Sequence, residues 1–380
     1  MIIQSKRVWI AGQFKKAQLE VKEGKIVNVF PYGTKEVDDD YDNRRIVPGF
    51  IDIHTHGAYG FDTNYALEEG LIKWKKNVPS EGVTSFLPTT ITQSEEVLTK
   101  ALENVYKVYQ KEKDGADIIG IHFEGPYLDM VYKGAQPPEH IVKPTVEQFK
   151  RFEKAGGGLI KLITMACECD EDFKLTKYCS DNNIAVSMGH SASTYDEAVI
   201  AVANGAKSMT HVYNGMSGFN HRANGLVGAA YRFDGVYGEI IADGNHSTVD
   251  AINIFYRTKG PDYTILITDS LMCKGSKAGE KFIFGGHEIE VYQDGSAHLT
   301  EGVKSLAGST LKVNQGLKIV VEEALIPFKD ALNSCTINPA RLLKVDDHKG
   351  RLYVGYDADI VVLEDDYSVK QTYCKGRKSL

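Results

Sequence analysis

The 380-residue sequence predicts an α/β protein in which a barrel of eight parallel strands carries a small β-domain made from both ends of the chain. Two observations predict this fold class. Short β-branched runs alternate with amphipathic stretches through the middle of the chain, whereas both ends consist of short alternating strands. A third observation concerns function, because polar residues follow the predicted strands of the middle region.

The two ends of the chain have the same character. Near the N-terminus, IIQSKRVWI and AQLEVKEGKIVNVF alternate apolar and polar residues, and Glu23-Gly24 is a plausible hairpin turn. Near the C-terminus, the apolar run IVVL precedes a second alternating piece. We therefore predict one small β-domain from residues 1–46 and 345–380, and a barrel domain from residues 47–344.

The middle of the chain has a β/α rhythm. Stretches such as SEEVLTKALENVYKVYQKEK and NQGLKIVVEEAL repeat apolar residues at helical spacing. Parallel strands with intervening helices favour a closed (β/α)8 barrel. The eight candidate strands are IVPGFIDIH, VTSFLPT, DIIGIHF, LIKLITM, NIAVSMG, KSMTHV, YGEIIAD and YTILITD.

Composition excludes several classes of protein. A net charge of −7 argues against nucleic-acid binding, which needs a basic face. The six cysteines have no regular spacing, so we expect reduced thiols in a cytoplasmic protein. No run of 18 apolar residues occurs, so no membrane partner is expected. A small anionic substrate remains compatible, because one or two Arg or His residues can hold a phosphate.

The polar residues at the strand ends predict the active site. In a barrel, all of these ends open on the face where active sites lie. The residues concerned are His54, His56, Glu124, His190, His211, Asp243 to His246, and Asp269.

These residue types suit a divalent metal. His54 and His56 lie two apart on a strand, so both side chains point to the same side and can share a metal, although such a pair is also found in purely structural roles. Glu124, His190 and His211 supply one carboxylate and two imidazoles. That set suits Zn²⁺ or Fe²⁺ and leaves a position open for water.

Asp269 closes the eighth predicted strand in ILITDS. There it could accept a proton from a water molecule activated by the metal. The alternative is a helix cap before the next segment.

Several motifs together resemble the N-acetylglucosamine-6-phosphate deacetylase family of the amidohydrolase superfamily. HFEGPYL, THVYNGM and IADGNHS are narrow motifs of that family, whereas PGFIDIHTHG and GYDADIVVL are shared widely among amidohydrolases. MGHSAS, LITDS and LAGST complete a match over nearly the whole chain.

The resemblance implies a (β/α)8 barrel with a small β-sandwich and the hydrolysis of N-acetyl-D-glucosamine 6-phosphate to D-glucosamine 6-phosphate and acetate, in amino-sugar catabolism and recycling. It implies that Glu124, His190 and His211 hold the principal metal and that Asp269 is the catalytic acid and base. It also implies that the substrate is bound by Ala135, Asn214, Gly215, Arg222, His246, Leu306, Ala307 and Gly308.

Two features vary within the family. Some members lack the histidine pair equivalent to His54 and His56 and use one metal. Because both histidines are present here, one or two metals per subunit are expected. Gln136 stands where some members have a histidine that polarises the acetyl oxygen, and its amide can donate a hydrogen bond there.

The resemblance also implies a homodimer in which Arg222 can reach the phosphate of the neighbouring subunit. Lys161, in the fourth strand, is expected to lie within or below the barrel wall.

Two alternatives stay open at this point. One is deacetylation of an isomeric amino-sugar phosphate, because the ligand set does not recognise the 4-hydroxyl of the sugar. The other is a non-catalytic barrel that binds a ligand. Its sign would be a missing metal ligand or base, and none is missing from the sequence.

Overall fold

The computed structural model describes residues 1–302 and 305–379. Its strands, in chain order, are β1 (Ile2–Ile10), β2 (Gln13–Lys22), β3 (Lys25–Pro31), β4 (Asp39–Asp40), β5 (Arg45–Pro48), β6 (Phe50–Thr55), β7 (Gly57–Ala58), β8 (Phe61–Asp62), β9 (Val83–Pro88), β10 (Asp117–Ile118), β11 (Ile121–Glu124), β12 (Ile160–Met165), β13 (Ala185–Met188), β14 (Ala206–Met209), β15 (Tyr237–Ile241), β16 (Thr264–Ile267), β17 (Lys281–Phe284), β18 (His287–Val291), β19 (Ala297–Leu299), β20 (Ile360–Leu363), β21 (Val369–Cys374) and β22 (Arg377–Lys378). Its helices are α1 (Glu68–Asn77), α2 (Glu95–Lys111), α3 (Val146–Ala155), α4 (Lys174–Asp181), α5 (Tyr195–Ala203), α6 (Gly225–Arg232), α7 (Val249–Lys259), α8 (Val313–Lys318), which continues as a π-helical turn over Ile319–Glu323, α9 (Phe328–Ser334) and α10 (Ile337–Leu342).

Strands from both ends of the chain share one sheet. Its order is β22-β21-β20-β5-β1-β2-β3, and β4 pairs with β1. The predicted turn at Glu23-Gly24 joins β2 to β3, and both residues have positive φ angles, 52° and 78°. Such angles match the twist of a two-residue hairpin turn. β5 spans the predicted domain boundary between residues 46 and 47. One residue separates it from β6, the first of the parallel strands.

The parallel strands form a curled α/β structure. β6, β9 and β10 make one parallel sheet, and β11 to β16 make a second in chain order. Single parallel bridges between Thr89 and His122, and between Thr55 and Ser270, lie where the two sheets adjoin. The candidate strands correspond to these elements with two exceptions. IVPGFIDIH is divided between β5 of the terminal sheet and β6, and DIIGIHF is interrupted into β10 and β11.

Helix α2 illustrates how the sequence pattern produces the packing. The Ser94 hydroxyl accepts a hydrogen bond from the backbone N–H of Val97, which satisfies one of the free donors at the helix start. Leu98, Leu102 and Val105 recur at helical spacing and are fully buried. This apolar face packs on the strands in the main core.

A small antiparallel sheet of β17, β18 and β19, which is absent from the predicted elements, follows the last parallel strand. Its first strand ends in Phe284, which is buried against Ile91, Leu271 and other apolar side chains. The sheet therefore covers the carboxyl ends of the parallel strands.

The sequence predicts reduced cysteines and no membrane-spanning segment. All six cysteines are free thiols, in agreement with the prediction. Within residues 1–302 and 305–379, none of the helices has the length and apolar character needed to cross a bilayer.

Lys349 connects the terminal sheet to the parallel strands through a buried charge network. Its Nζ lies 2.7 Å from Asp359 Oδ2, 2.9 Å from Asp357 Oδ2 and 3.1 Å from Asp117 Oδ2. Burial lowers the pKa of Lys349, but the three carboxylates outweigh burial and raise it above its usual value. The lysine is therefore charged. Its removal would leave the buried Asp359 carboxylate without an ion-pair partner, whereas Asp357 and Asp117 would keep Lys25 and Lys375.

We expect Lys349→Met to lower the free energy of unfolding by about 3–5 kcal/mol, the usual cost of removing one partner of a buried ion pair. Chemical denaturation measures this loss. Lys370→Met, at an exposed position of β21, is the matched control and should change stability little. Equal stability of the two variants would contradict a connecting role for Lys349.

Candidate active site

The carboxyl ends of the parallel strands bring together two groups of metal-ligating side chains. His54, His56 and Asp269 form one group, and Glu124, His190 and His211 form the other. Within each group the potential ligand atoms lie within 4.8 Å of one another. The groups adjoin, because Glu124 Oε2 lies 3.1 Å from His56 Nε2.

Hydrogen bonds at Nδ1 orient the imidazole rings of His190 and His54. His190 Nδ1 lies 2.9 Å from the backbone carbonyl oxygen of Tyr132, and a carbonyl can only accept, so Nδ1 carries the proton. His54 Nδ1 lies 3.0 Å from Glu239 Oε2. In both residues Nε2 is then directed toward Glu124. Glu124 Oε1 lies 3.4 Å from His190 Nε2 and 3.5 Å from His54 Nε2.

The atoms at the centre of the site fit a divalent cation. Among the described residues, His54 Nε2 and Glu124 Oε1 are buried without a hydrogen-bond partner. His211 Nε2 and His190 Nε2 face each other at 3.1 Å. Buried polar atoms normally have partners, and imidazole and carboxylate are the ligands of Zn²⁺ and Fe²⁺. A cation would satisfy these atoms.

The charges of the site stabilise one another. Burial raises the pKa of Asp269, but His54 and His56 outweigh it and hold that pKa below its usual range. Burial lowers the pKa of His56, but hydrogen bonds to Asp269 and Glu124 raise it to about 9. The two imidazoles therefore favour the ionised form of the Asp269 carboxylate.

Three side chains of the site stand on left-handed backbone. His190, His211 and Asp269 have φ angles of 47°, 30° and 49°. Such angles are uncommon outside glycine, although His and Asp adopt them more readily than most residues. Each follows the end of a parallel strand, so the backbone turn directs the side chain into the mouth of the curled sheet. Asp269 does not cap a helix, because turns and then β17 follow it and no helix begins within the described residues 270–302.

A cavity of about 280 Å³ opens over the two groups. Arg222 lies in an exposed loop outside the lining of this cavity. Ala307 and His54 are buried and are also not part of the lining. The residues that line the cavity are His56, Glu124, Gly134, Ala135, Gln136, His190, His211, Asn214, Gly215, His246, Asp269, Phe284, Ser305, Leu306 and Gly308.

Three polar side chains of the lining are suited to binding a ligand. Asn214 Nδ2 is a buried donor without a partner among the described residues. His246 Nδ1 lies 2.7 Å from Asp243 Oδ2, which outweighs the effect of burial and raises the pKa of the imidazole. Gln136 accepts a hydrogen bond from the backbone N–H of Thr92 and donates to Glu124 Oε2 at 3.0 Å. Its amide is thus fixed beside the carboxylate.

Two glycines allow the close packing of the lining. Gly215 has a φ angle of 56°, and a Cβ there would lie 3.0 Å from His190 Nδ1. Gly308 has a φ angle of 54°, and a Cβ there would lie 2.9 Å from the backbone oxygen of Asp269. Any side chain at either position would displace a residue of the site.

Four residues of this region were not predicted from the sequence. Phe284, whose ring centroid lies 5.6 Å from that of His56, comes from the unpredicted antiparallel sheet. Gly134 and Ser305 line the cavity from loops. Glu239 left a signal in the sequence, because it is a charged residue within the apolar strand YGEII.

Lys161 lies away from the metal-ligating groups. It lines a different cavity, together with Asp117 and Lys349. This position agrees with the expectation that Lys161 lies within or below the wall.

A further cavity, of about 350 Å³, opens between Trp9 and the helices α9 and α10. Its lining has no group of metal-ligating side chains, because Asp262 is its one acidic residue and it contains no histidine or cysteine.

A curled parallel sheet with two adjoining groups of His, Asp and Glu at its strand ends is typical of the metal-dependent hydrolases. Residues 45–378 match the model of the amidohydrolase family. The chain is 40% identical to the N-acetylglucosamine-6-phosphate deacetylase of Bacillus subtilis (strain 168), over 95% of this chain and 92% of the relative. It is 31% identical to the human protein of the same name, over 97% and 93% of the two chains.

Solved structures agree with these similarities. An N-acetyl-D-glucosamine-6-phosphate deacetylase mutant from Mycobacterium smegmatis, in complex with N-acetyl-D-glucosamine-6-phosphate, superposes with a TM-score of 0.94 at 26% identity, over 100% of this chain and 99% of that one. The Pasteurella multocida deacetylase has a TM-score of 0.90 at 29% identity, with the same coverage. The chain therefore belongs to the amidohydrolase family of hydrolases and, within it, to the N-acetylglucosamine-6-phosphate deacetylases.

Proposed function

We propose that this chain hydrolyses N-acetyl-D-glucosamine 6-phosphate to D-glucosamine 6-phosphate and acetate, as a step of amino-sugar catabolism in the cytoplasm. The observation that carries this proposal is the position of the Asp269 carboxylate, 3.4 Å from His54 Nε2 and 3.2 Å from His56 Nε2, where two groups of metal-ligating side chains adjoin in a cavity lined by polar donors. Relatives at 31–40% identity with this name support the choice of substrate.

Glu124, His190 and His211 would hold the principal cation, and His54 and His56 would hold a second. Zn²⁺ and Fe²⁺ suit these ligands. A divalent cation supplies Lewis acidity, which lowers the pKa of water and polarises a carbonyl. Gln136, through its hydrogen bond to Glu124 Oε2, holds that carboxylate between the two groups.

Asp269 would move the proton twice. It first accepts a proton from water as the water oxygen forms a bond to the acetyl carbon. It then donates that proton to the amine nitrogen as the C–N bond breaks, because an amine leaves poorly as an anion. The products are acetate and the free amino sugar, and the carboxylate is regenerated.

The surrounding fold would hold the sugar phosphate over Asp269. We propose that the two parallel sheets close as a complete (β/α)8 barrel over residues 47–344, and that residues 1–46 and 345–380 form a β-sandwich. Ala135, Asn214, Gly215 and His246 would contact the sugar. The stretch Leu306, Ala307 and Gly308 would line the substrate.

Arg222 would bind the phosphate across the interface of a homodimer. It is exposed in the loop between β14 and α6, and no carboxylate pairs with its guanidinium in the part of the chain that the structure describes. A guanidinium without a carboxylate partner is free to bind an anion such as phosphate. Forked hydrogen bonds from arginine to phosphate contribute about 1.5–3 kcal/mol each.

We expect Arg222→Ala to raise KM for the phosphorylated substrate roughly ten- to a hundred-fold and to leave the weak activity on unphosphorylated N-acetylglucosamine nearly unchanged. Steady-state kinetics on both sugars measure the difference. Arg232→Ala, an exposed arginine at the end of α6, is the matched control. An equal loss on both sugars would show that Arg222 supports the fold or the chemistry and does not bind the phosphate.

A further inference from the structure

Glu239 is a buried charge that the reaction proposed above does not use. It lies in the middle of β15, between apolar neighbours, and its side chain is 0% exposed. Burial of a carboxylate is strongly unfavourable unless other groups compensate it. The contacts of Glu239 therefore indicate what it does.

Those contacts converge on the metal-ligating groups. Glu239 Oε2 lies 3.0 Å from His54 Nδ1 and 3.4 Å from the backbone nitrogen of His211. Its other oxygen, Oε1, has no hydrogen-bond partner among the described residues. Within those residues no lysine or arginine pairs with Glu239, so the ring of His54 is its main partner.

The proton of His54 has two competing destinations. On Nδ1 it bonds to Glu239 Oε2, and the lone pair of Nε2 then faces the centre of the site. On Nε2 it would bond to Asp269 Oδ1, at 3.4 Å, or to Glu124 Oε1, at 3.5 Å. The second tautomer would occupy the position of a cation with an N–H group.

We infer that Glu239 is a positioning residue that holds His54 as the Nδ1–H tautomer and so keeps Nε2 available to a divalent cation. This inference rests on the metal-ligating role of His54 in the proposed function. A carboxylate behind a metal-ligating histidine fixes the ring and its tautomer, and its loss typically weakens metal binding 10- to 100-fold.

The test uses the full-length chain loaded with Zn²⁺ and treated with increasing concentrations of a chelator. In Glu239→Gln the amide oxygen can still accept from Nδ1–H without the charge, whereas Glu239→Ala removes the acceptor. We expect the affinity for the ion of the His54 group to fall about tenfold in the first variant and about a hundredfold in the second. The ion of the Glu124 group should be retained in both.

Glu81→Gln is the matched control, because Glu81 is an equally buried carboxylate that pairs with Lys274 away from the metal ligands. It should lose stability, because Lys274 is left without its buried partner, but the folded chain should keep both ions with wild-type affinity. Wild-type affinity in both Glu239 variants, equal loss of both ions, or a wild-type chain that binds only one ion would overturn the inference. Because ion release is measured without substrate, a wild-type chain that holds two ions but releases no acetate would refute the proposed reaction alone.

Discussion

Asp269→Asn is expected to reduce acetate release by about 10³-fold or more while the chain keeps its metal ions. Asparagine has nearly the same shape but cannot accept a proton from water or deliver one to the amine, so both proton transfers are lost. His54 and His56 stand within 3.4 Å and 3.2 Å of Asp269 Oδ1, and their ring nitrogens remain available to metal. Turnover and metal content should be measured on the same preparation.

A matched control for this variant is Asp262→Asn, which removes a carboxylate that pairs with Arg341 on the surface. It should retain wild-type turnover. Near-normal acetate release from Asp269→Asn would show that another group transfers the proton. Loss of both activity and metal would show that Asp269 acts mainly as a ligand.

The second large effect concerns the principal cation. His190→Ala and His211→Ala should each lose it, because either change reduces a three-ligand site to two ligands. The double variant His54→Ala with His56→Ala should lose at most the second ion, since Glu124, His190 and His211 remain. Metal stoichiometry after dialysis measures both results.

His298→Ala is a matched control for these variants, because His298 lies in the antiparallel sheet and stacks on Tyr292 away from the ligands. It should keep the full metal content. If the double variant at residues 54 and 56 retained no ion, the principal site would have been assigned to the wrong group.

Much of the fold could be predicted because strand period and hairpin chemistry are local. β1 has the predicted limits, and Glu23-Gly24 forms the predicted turn. The sheet of β17, β18 and β19 was missed although Gly285-Gly286 between KFIF and HEIEV is a hairpin signal. Long-range pairing, such as that of β5 with β20, depends on contacts that periodicity does not encode.

That the candidate ligands lie close together could be predicted for a similar reason. Parallel strands must end on one face, so polar residues at strand ends are brought together whatever their separation in sequence. Phe284 and Ser305 enter the cavity from segments without such a rule. The position of an exposed loop is also not encoded in the local sequence pattern. Arg222 lies in such a loop, outside the lining of the cavity.

The central claim is tested most directly by acetate release from a panel of acetylated sugars, measured with metal analysis of the same protein. The panel contains N-acetyl-D-glucosamine 6-phosphate, its galactosamine isomer and unphosphorylated N-acetylglucosamine. We predict that acetate and free amine form in equal amounts from the first compound, that removal of the metal by a chelator stops the reaction, and that the unphosphorylated sugar is a much poorer substrate. A metal-loaded chain that releases no acetate from N-acetyl-D-glucosamine 6-phosphate would contradict the claim.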